Sequence, residues 1–169
     1  MGSLAGVIVL VAVYFRFMYP HGPHPACARA LKLALVFYAH DHDGKFPAGE
    51  ATPEASLSLL YPEYASAEIL AGKRKSVKIA ERILASGGRL SPETCDWHYV
   101  EGLTDSDYSE IAIFWDKSNL DHAGRRMFDG SHEVFRIRSV SPEYIPASRW
   151  ADFLAEQQRL LAAREAKVP

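Results

Sequence analysis

The sequence predicts an α+β domain that follows an apolar N-terminal segment. Three observations lead to this class: an uncharged apolar run near the N-terminus, helical spacing of apolar residues in several segments, and β-type runs confined to the second half. With 169 residues, 48% hydrophobic and 24% charged, the chain has room for one domain and an appendage. It is too apolar for a disordered protein, and a formal charge of −2 gives no reason to expect nucleic acid as a partner.

The apolar run Leu4–Phe15, LAGVIVLVAVYF, contains no charged side chain. Residues 1–19 as a helix span roughly 28 Å, which is enough for a thin bilayer. Aromatic residues surround Arg16, as in the aromatic belt of a membrane interface. We therefore predict a transmembrane anchor over residues 1–19, with a cleaved signal peptide or a buried core element as alternatives. Prolines within residues 20–25 indicate a hinge after it.

The globular part is predicted over residues 26–169 and begins with an amphipathic helix over Ala26–His40. Apolar residues recur there at helical spacing and form a packing stripe of Leu31, Leu35 and Tyr38. Ala34 and Phe37 widen this stripe in the sequence pattern. Gly44 suits a left-handed stop after the helix.

Three further helical segments are predicted. Thr52-Pro53-Glu54 is typical of a helix start, with a capping hydroxyl and a proline in the first turn. Lys73–Ser86 predicts a helix with a basic, solvated face and an inward face of Val77, Ile79, Ala80, Ile83 and Leu84. Ser148–Lys167 predicts a C-terminal helix with one face of Trp150, Phe153, Leu154, Gln157, Leu160 and Leu161.

Three runs rich in aromatic and β-branched residues predict strands. They are Trp97–Val100, Glu110–Trp115 and Glu133–Val140, separated by turn residues. We expect them to form a small antiparallel sheet with one face in water.

Carboxylates and imidazoles near the predicted strand ends are the candidates for chemistry. Asp116, His122, Asp129 and His132 could bind a divalent metal or act as acid and base. Their spacing matches no zinc or hydrolase signature, and Asp129-Gly130 is typical of a turn. A structural role is therefore the stronger interpretation, so we predict no catalytic residue, no resident metal and no cofactor.

The two cysteines, Cys27 and Cys95, allow two states. In an oxidising compartment they could form a disulfide between the first helix and the start of the sheet. In a reducing compartment they would be two buried thiols. The sequence leaves both alternatives open.

Four segments resemble pseudopilin-like proteins that are abundant in planctomycetes and verrucomicrobia. The first is CARALKLALVFYAHDHDGKFP, residues 27–47, which resembles the family's helix and following Asp-Gly-x-Phe-Pro turn. YVEGL (99–103), IFWDK (113–117) and HAGRRMFDG (122–130) follow in the order of the family's later blocks. This sequence departs from the family in one respect: the prepilin signature is absent, and no glutamate lies early in the apolar run.

The resemblance implies a pilin-like fold, in which the membrane helix continues into an amphipathic helix packed on the sheet. It also implies a non-enzymatic structural subunit of a type II secretion or type IV pilus-like assembly. Its partners would be the membrane, like subunits and an assembly platform, and its location the bacterial inner membrane, single-pass, with a periplasmic globular domain. That location favours the disulfide. The missing glutamate favours the alternative, an anchored periplasmic binding module that does not polymerise.

Overall fold

The computed structural model describes residues 6–8, 11, 13–14, 26–73, 76–121 and 125–167. In chain order the main helices are α1 (Ala26–Asp41), α2 (Pro53–Leu57), α3 (Ala67–Ala71), α4 (Val77–Ala85) and α5 (Trp150–Glu165). The strands are β1 (Trp97–Tyr99), β2 (Ala112–Asp116), β3 (His132–Arg136) and β4 (Glu143–Ile145). The predicted α+β class, antiparallel sheet and C-terminal helix are confirmed.

The sheet is an antiparallel meander in the order β1-β2-β3-β4. Trp97 lies opposite Asp116 at one edge, and His132 lies opposite Ile145 at the other. The sequence patterns missed β4 and extended β3 too far. The chain leaves the sheet after Arg136, turns, and returns as a strand too short for its alternation to be recognised.

Both faces of the sheet are covered, so the prediction of one wet face is wrong. The helices α1 to α4 pack on the face that carries Phe114 and Phe135. The helix α5 packs on the other face through Phe153, against Trp115 and Val134. This arrangement makes a three-layer domain, and every residue of β2 is buried.

The helix α1 packs on the core through the predicted positions Leu31 and Leu35, which are fully buried, and through the half-buried Tyr38. Phe37 does not widen this stripe, because its side chain is 59% exposed on the opposite face. After the helix, Gly44 adopts the predicted left-handed conformation with φ +79°, and its N–H donates to Ala39 O at 2.8 Å.

The helix after Thr52 is confirmed, since Ala55 N–H donates to the Thr52 hydroxyl at 3.2 Å. The next predicted helix is shorter than expected. It begins at Val77 instead of Lys73, and Val77 and Ile79 are exposed instead of facing inward. Only Ala80 and Leu84 of α4 are buried. They are four residues apart and so lie on the same narrow face of the helix.

The predicted anchor lies mostly outside the described residues, and the predicted hinge over residues 20–25 lies wholly outside them. Residues 6–8, 11, 13 and 14 are helical. Among the residues that the structure describes, no helix is both long enough and apolar enough to cross a membrane.

Candidate functional site

A cluster of buried charges joins β2 and β3 at one end of the sheet. Asp116, the last residue of β2, is fully buried, and its Oδ1 lies 2.8 Å from Nδ1 of His132, the first residue of β3. Its Oδ2 lies 3.0 Å from Nζ of Lys73. Nζ also lies 2.6 Å from Oε2 of Glu133 and donates to Leu120 O at 2.8 Å. The three donors of this ammonium therefore have three acceptors.

Lys73 is the member of this cluster that the sequence pattern misplaced. It was expected on a solvated basic face, but it precedes α4, and its side chain is only 3% exposed. Burial alone would lower the pKa of Lys73. The carboxylates of Glu133 and Asp116 outweigh burial and raise the pKa, so the amine is charged at neutral pH.

The two carboxylate oxygens of Glu133 have different surroundings. Its Oε2 pairs with Lys73, whereas Oε1 is buried and has no hydrogen-bond partner in the part of the chain that the structure describes. Burial, followed by the nearby Glu133 charge, raises the pKa of Tyr144 on the neighbouring strand. The cluster therefore brings two acidic side chains, Asp116 and Glu133, to the one amine of Lys73.

The structure brings together two of the four residues proposed for metal or acid–base chemistry. Asp116 and His132 are in contact, whereas Asp129 lies in a turn and accepts from the backbone N–H of Ser131 at 3.1 Å. His122 lies outside the described residues. Among those that are described, no group of three or more His, Cys, Asp or Glu side chains could hold a metal ion.

The contacts of His132 limit its chemistry. Its ring stacks on Trp150 of α5 at 3.9 Å, and its Nδ1 faces Asp116. A buried carboxylate in this position orients an imidazole, as in acid–base pairs of enzymes. The hydrogen bonds of His132 Nδ1 are to the backbone carbonyl and the carboxylate of Asp116. These contacts and the stacking on Trp150 join the sheet to α5 and hold the cluster together.

A second candidate surface is the outer face of α1. Leu33, Val36 and Phe37 are 50%, 42% and 59% exposed. Their spacing places them on one side of the helix, opposite Leu31 and Leu35. The helix is therefore apolar on two sides, and only one side packs within the domain. Exposed apolar side chains on one face of a helix make that face a candidate interaction surface.

Cys27 and Cys95 are both free thiols in the structure. Burial raises the pKa of each thiol, and that of Cys95 reaches about 12. Both are therefore protonated and weakly nucleophilic at neutral pH. This is the reduced alternative of the sequence analysis, and the disulfide stays a prediction.

These features define a small α+β domain with a helix that is apolar on two sides and an ionic cluster buried at the end of its sheet. No family model matches the chain. Comparison with functionally characterised proteins and with solved structures likewise gives no significant match.

Proposed function

We propose that the chain is a non-enzymatic, membrane-anchored, pseudopilin-like structural subunit of a type II secretion or type IV pilus-like assembly. The observation that carries this proposal is the two-sided apolar character of α1. Leu31 and Leu35 pack on the domain, whereas Leu33, Val36 and Phe37 on the opposite side have solvent around them. A subunit that associates through its first helix needs both faces.

The N-terminal part of the chain is also apolar in sequence. The side chains described there are also exposed: Val7, Ile8, Val11, Val13 and Tyr14. Single exposed apolar residues are ordinary on protein surfaces, but removing apolar surface from water is favourable by about 25 cal/mol per Å². Lipid around the N-terminal segment and a like subunit against α1 would remove this surface from water. The resemblance to pseudopilin-like proteins would place the globular domain on the periplasmic side of the inner membrane.

Site-specific crosslinking in native membranes tests the association. A photoreactive amino acid replaces Phe37 in the full chain, and a matched control replaces Gln158, an exposed polar residue of α5. We expect a ladder of self-crosslinked species from position 37 and monomer from position 158. Leu33→Glu should abolish the ladder with little change in stability, since surface substitutions usually alter the free energy of unfolding by less than about 0.5 kcal/mol.

The same experiment distinguishes the assembling subunit from a second candidate, an anchored periplasmic binding module that does not polymerise. The absence of a glutamate early in the apolar run favours that candidate. It predicts only monomer, or one crosslinked species with a different protein, from position 37. Carbonate extraction and protease treatment of spheroplasts test the anchor and the orientation. A protein that carbonate releases from membranes would refute both candidates.

A further inference from the structure

The outward side of α4 combines positive charges with an apolar side chain. The buried residues Ala80 and Leu84 mark the side of this helix that faces the core. Because an α-helix turns by about 100° per residue, Lys78, Ile79 and Arg82 lie on the opposite side. All three are exposed, and Ile79 is 50% exposed. These three residues form the outer surface of α4.

The two cations of the outer surface of α4 are available to an external anion. Neither Lys78 nor Arg82 forms an ion pair with a carboxylate in the part of the chain that the structure describes. Glu81, the one acidic residue of the helix, lies between its outward and inward sides. In the sequence, Arg74 and Lys75 precede the helix and add two further positive charges. This region is therefore positive in a chain whose formal charge is −2.

The helix α4 begins at the end of the domain from which α1 also begins. Val77 follows Lys73 by four residues, and the amine of Lys73 lies in the buried cluster at that end of the sheet. Burial raises the pKa of Cys27, the second residue of α1, and the charges of Lys73 and Glu133 also act on it. In addition, α3 packs against both α1 and α4. The outer surface of α4 therefore belongs to the same end of the domain as the start of α1.

The predicted anchor would hold this end of the domain close to the bilayer. Residues 20–25 separate the anchor from α1. The seven Cα–Cα steps from residue 19 to residue 26 span at most about 25 Å, even in a fully extended chain. Anionic headgroups attract lysine and arginine side chains near the membrane surface, and an exposed isoleucine suits the boundary between headgroups and acyl chains.

We propose that the outer surface of α4 docks on anionic lipid headgroups of the bilayer that holds the anchor. Lys78 and Arg82 would face the headgroup phosphates, and Ile79 would lie at the boundary with the acyl chains. This inference rests on the anchor of the proposed function, but it does not depend on self-association. It gives the domain a second attachment to the membrane, whose strength depends on salt and on lipid composition.

Photocrosslinking of the full chain in lipid vesicles tests this contact. A photoreactive amino acid replaces Ile79, and the purified chain is reconstituted into vesicles of phosphatidylcholine, either alone or mixed with phosphatidylglycerol. We expect lipid adducts at position 79 in the anionic vesicles, and at least about fivefold fewer in neutral vesicles or at high salt. The control position is Glu165, which is exposed at the end of α5. Its neighbour Arg164 contacts Gly102 at the opposite end of the sheet, so position 165 should give no lipid adduct.

Charge variants test the electrostatic part of the contact. The double substitution Lys78→Gln and Arg82→Gln should reduce lipid adducts at position 79 by at least about fivefold in the anionic vesicles. The matched control combines Arg138→Gln and Arg159→Gln, which removes the same charge at two exposed positions outside α4. It should leave the yield of adducts unchanged.

Flotation with neutral vesicles reports on the anchor separately, because these vesicles offer no net negative charge to the outer surface of α4. A chain that floats with both kinds of vesicle but gives no lipid adduct at position 79 would refute the docking and leave the anchor intact. Adducts that do not depend on phosphatidylglycerol, or on the charges of Lys78 and Arg82, would also refute it. The same holds if position 79 crosslinks in native membranes to a second copy or to another protein instead of lipid. A chain that does not float with neutral vesicles would refute the anchor on which the inference rests.

Discussion

Replacing Lys32 with methionine should stabilise the protein. Methionine keeps the length and apolar stem of Lys32, which is 2% exposed, but removes its ammonium, whose single acceptor among the described residues is Ile137 O. Burial lowers the pKa of Lys32 from 10.5 to about 8, and each pH unit corresponds to about 1.4 kcal/mol. The charged amine therefore costs the folded state about 3 kcal/mol at neutral pH. The lost bond to Ile137 offsets about 1 kcal/mol, which leaves a net gain of about 2 kcal/mol.

The stability difference between the wild type and Lys32→Met should depend on pH. Below pH 8 the amine is protonated in both states, and the folded state carries the full cost. Between pH 8 and 10.5 the folded state loses its proton while the unfolded state keeps it, so wild-type stability rises relative to the variant. Above 10.5 the cost is gone. The advantage of Lys32→Met should therefore be largest at pH 7 and fade towards pH 10.5.

Urea unfolding of the full chain in mild detergent, followed by tryptophan fluorescence, measures this difference. Trp97 and Trp115 are buried in the two core clusters and report on both. Taking the difference between wild type and variant at each pH cancels the other groups that titrate in this range. The reasoning would be refuted by a variant less stable than the wild type at pH 7, or by a difference that does not change with pH.

Two further substitutions test the buried polar groups. Asp116→Ala should destabilise the protein by about 3 kcal/mol or more, because it removes one carboxylate from Lys73 and the partner of His132. Gln157→Leu should cost about 1–3 kcal/mol, because the Gln157 Oε1 accepts from the buried N–H of Ala112 at 2.8 Å. Thermal or urea unfolding measures both.

Two substitutions at exposed positions serve as controls for these losses of stability. Glu50→Ala removes a surface ion pair with Arg89 and should cost less than about 1 kcal/mol. Gln158→Leu, on the exposed side of α5, should change stability by less than about 0.5 kcal/mol. If the buried and exposed members of either comparison had equal effects, the burial argument would fail.

Local patterns predicted the elements whose cause is local. The apolar spacing of α1, the Thr52 cap and the Gly44 stop all depend on residues within one or two turns of each other, and each lies where the pattern predicts. The aromatic runs predicted three strands for the same reason. The sequence could not show that α5 covers the second face of the sheet, since that depends on where the chain returns in space.

Local sequence patterns could not predict the buried cluster of charged side chains. Lys73 and Asp116 are 43 residues apart in the chain, and a lysine beside other basic residues usually lies in solvent. Lys32 is a similar case, because it lies beside Leu31 in a stripe whose width is set by tertiary packing. Lys73 is buried among carboxylates, whereas Lys32 is buried against a backbone carbonyl. Both environments depend on residues far away in the chain, so no short window of sequence predicts them.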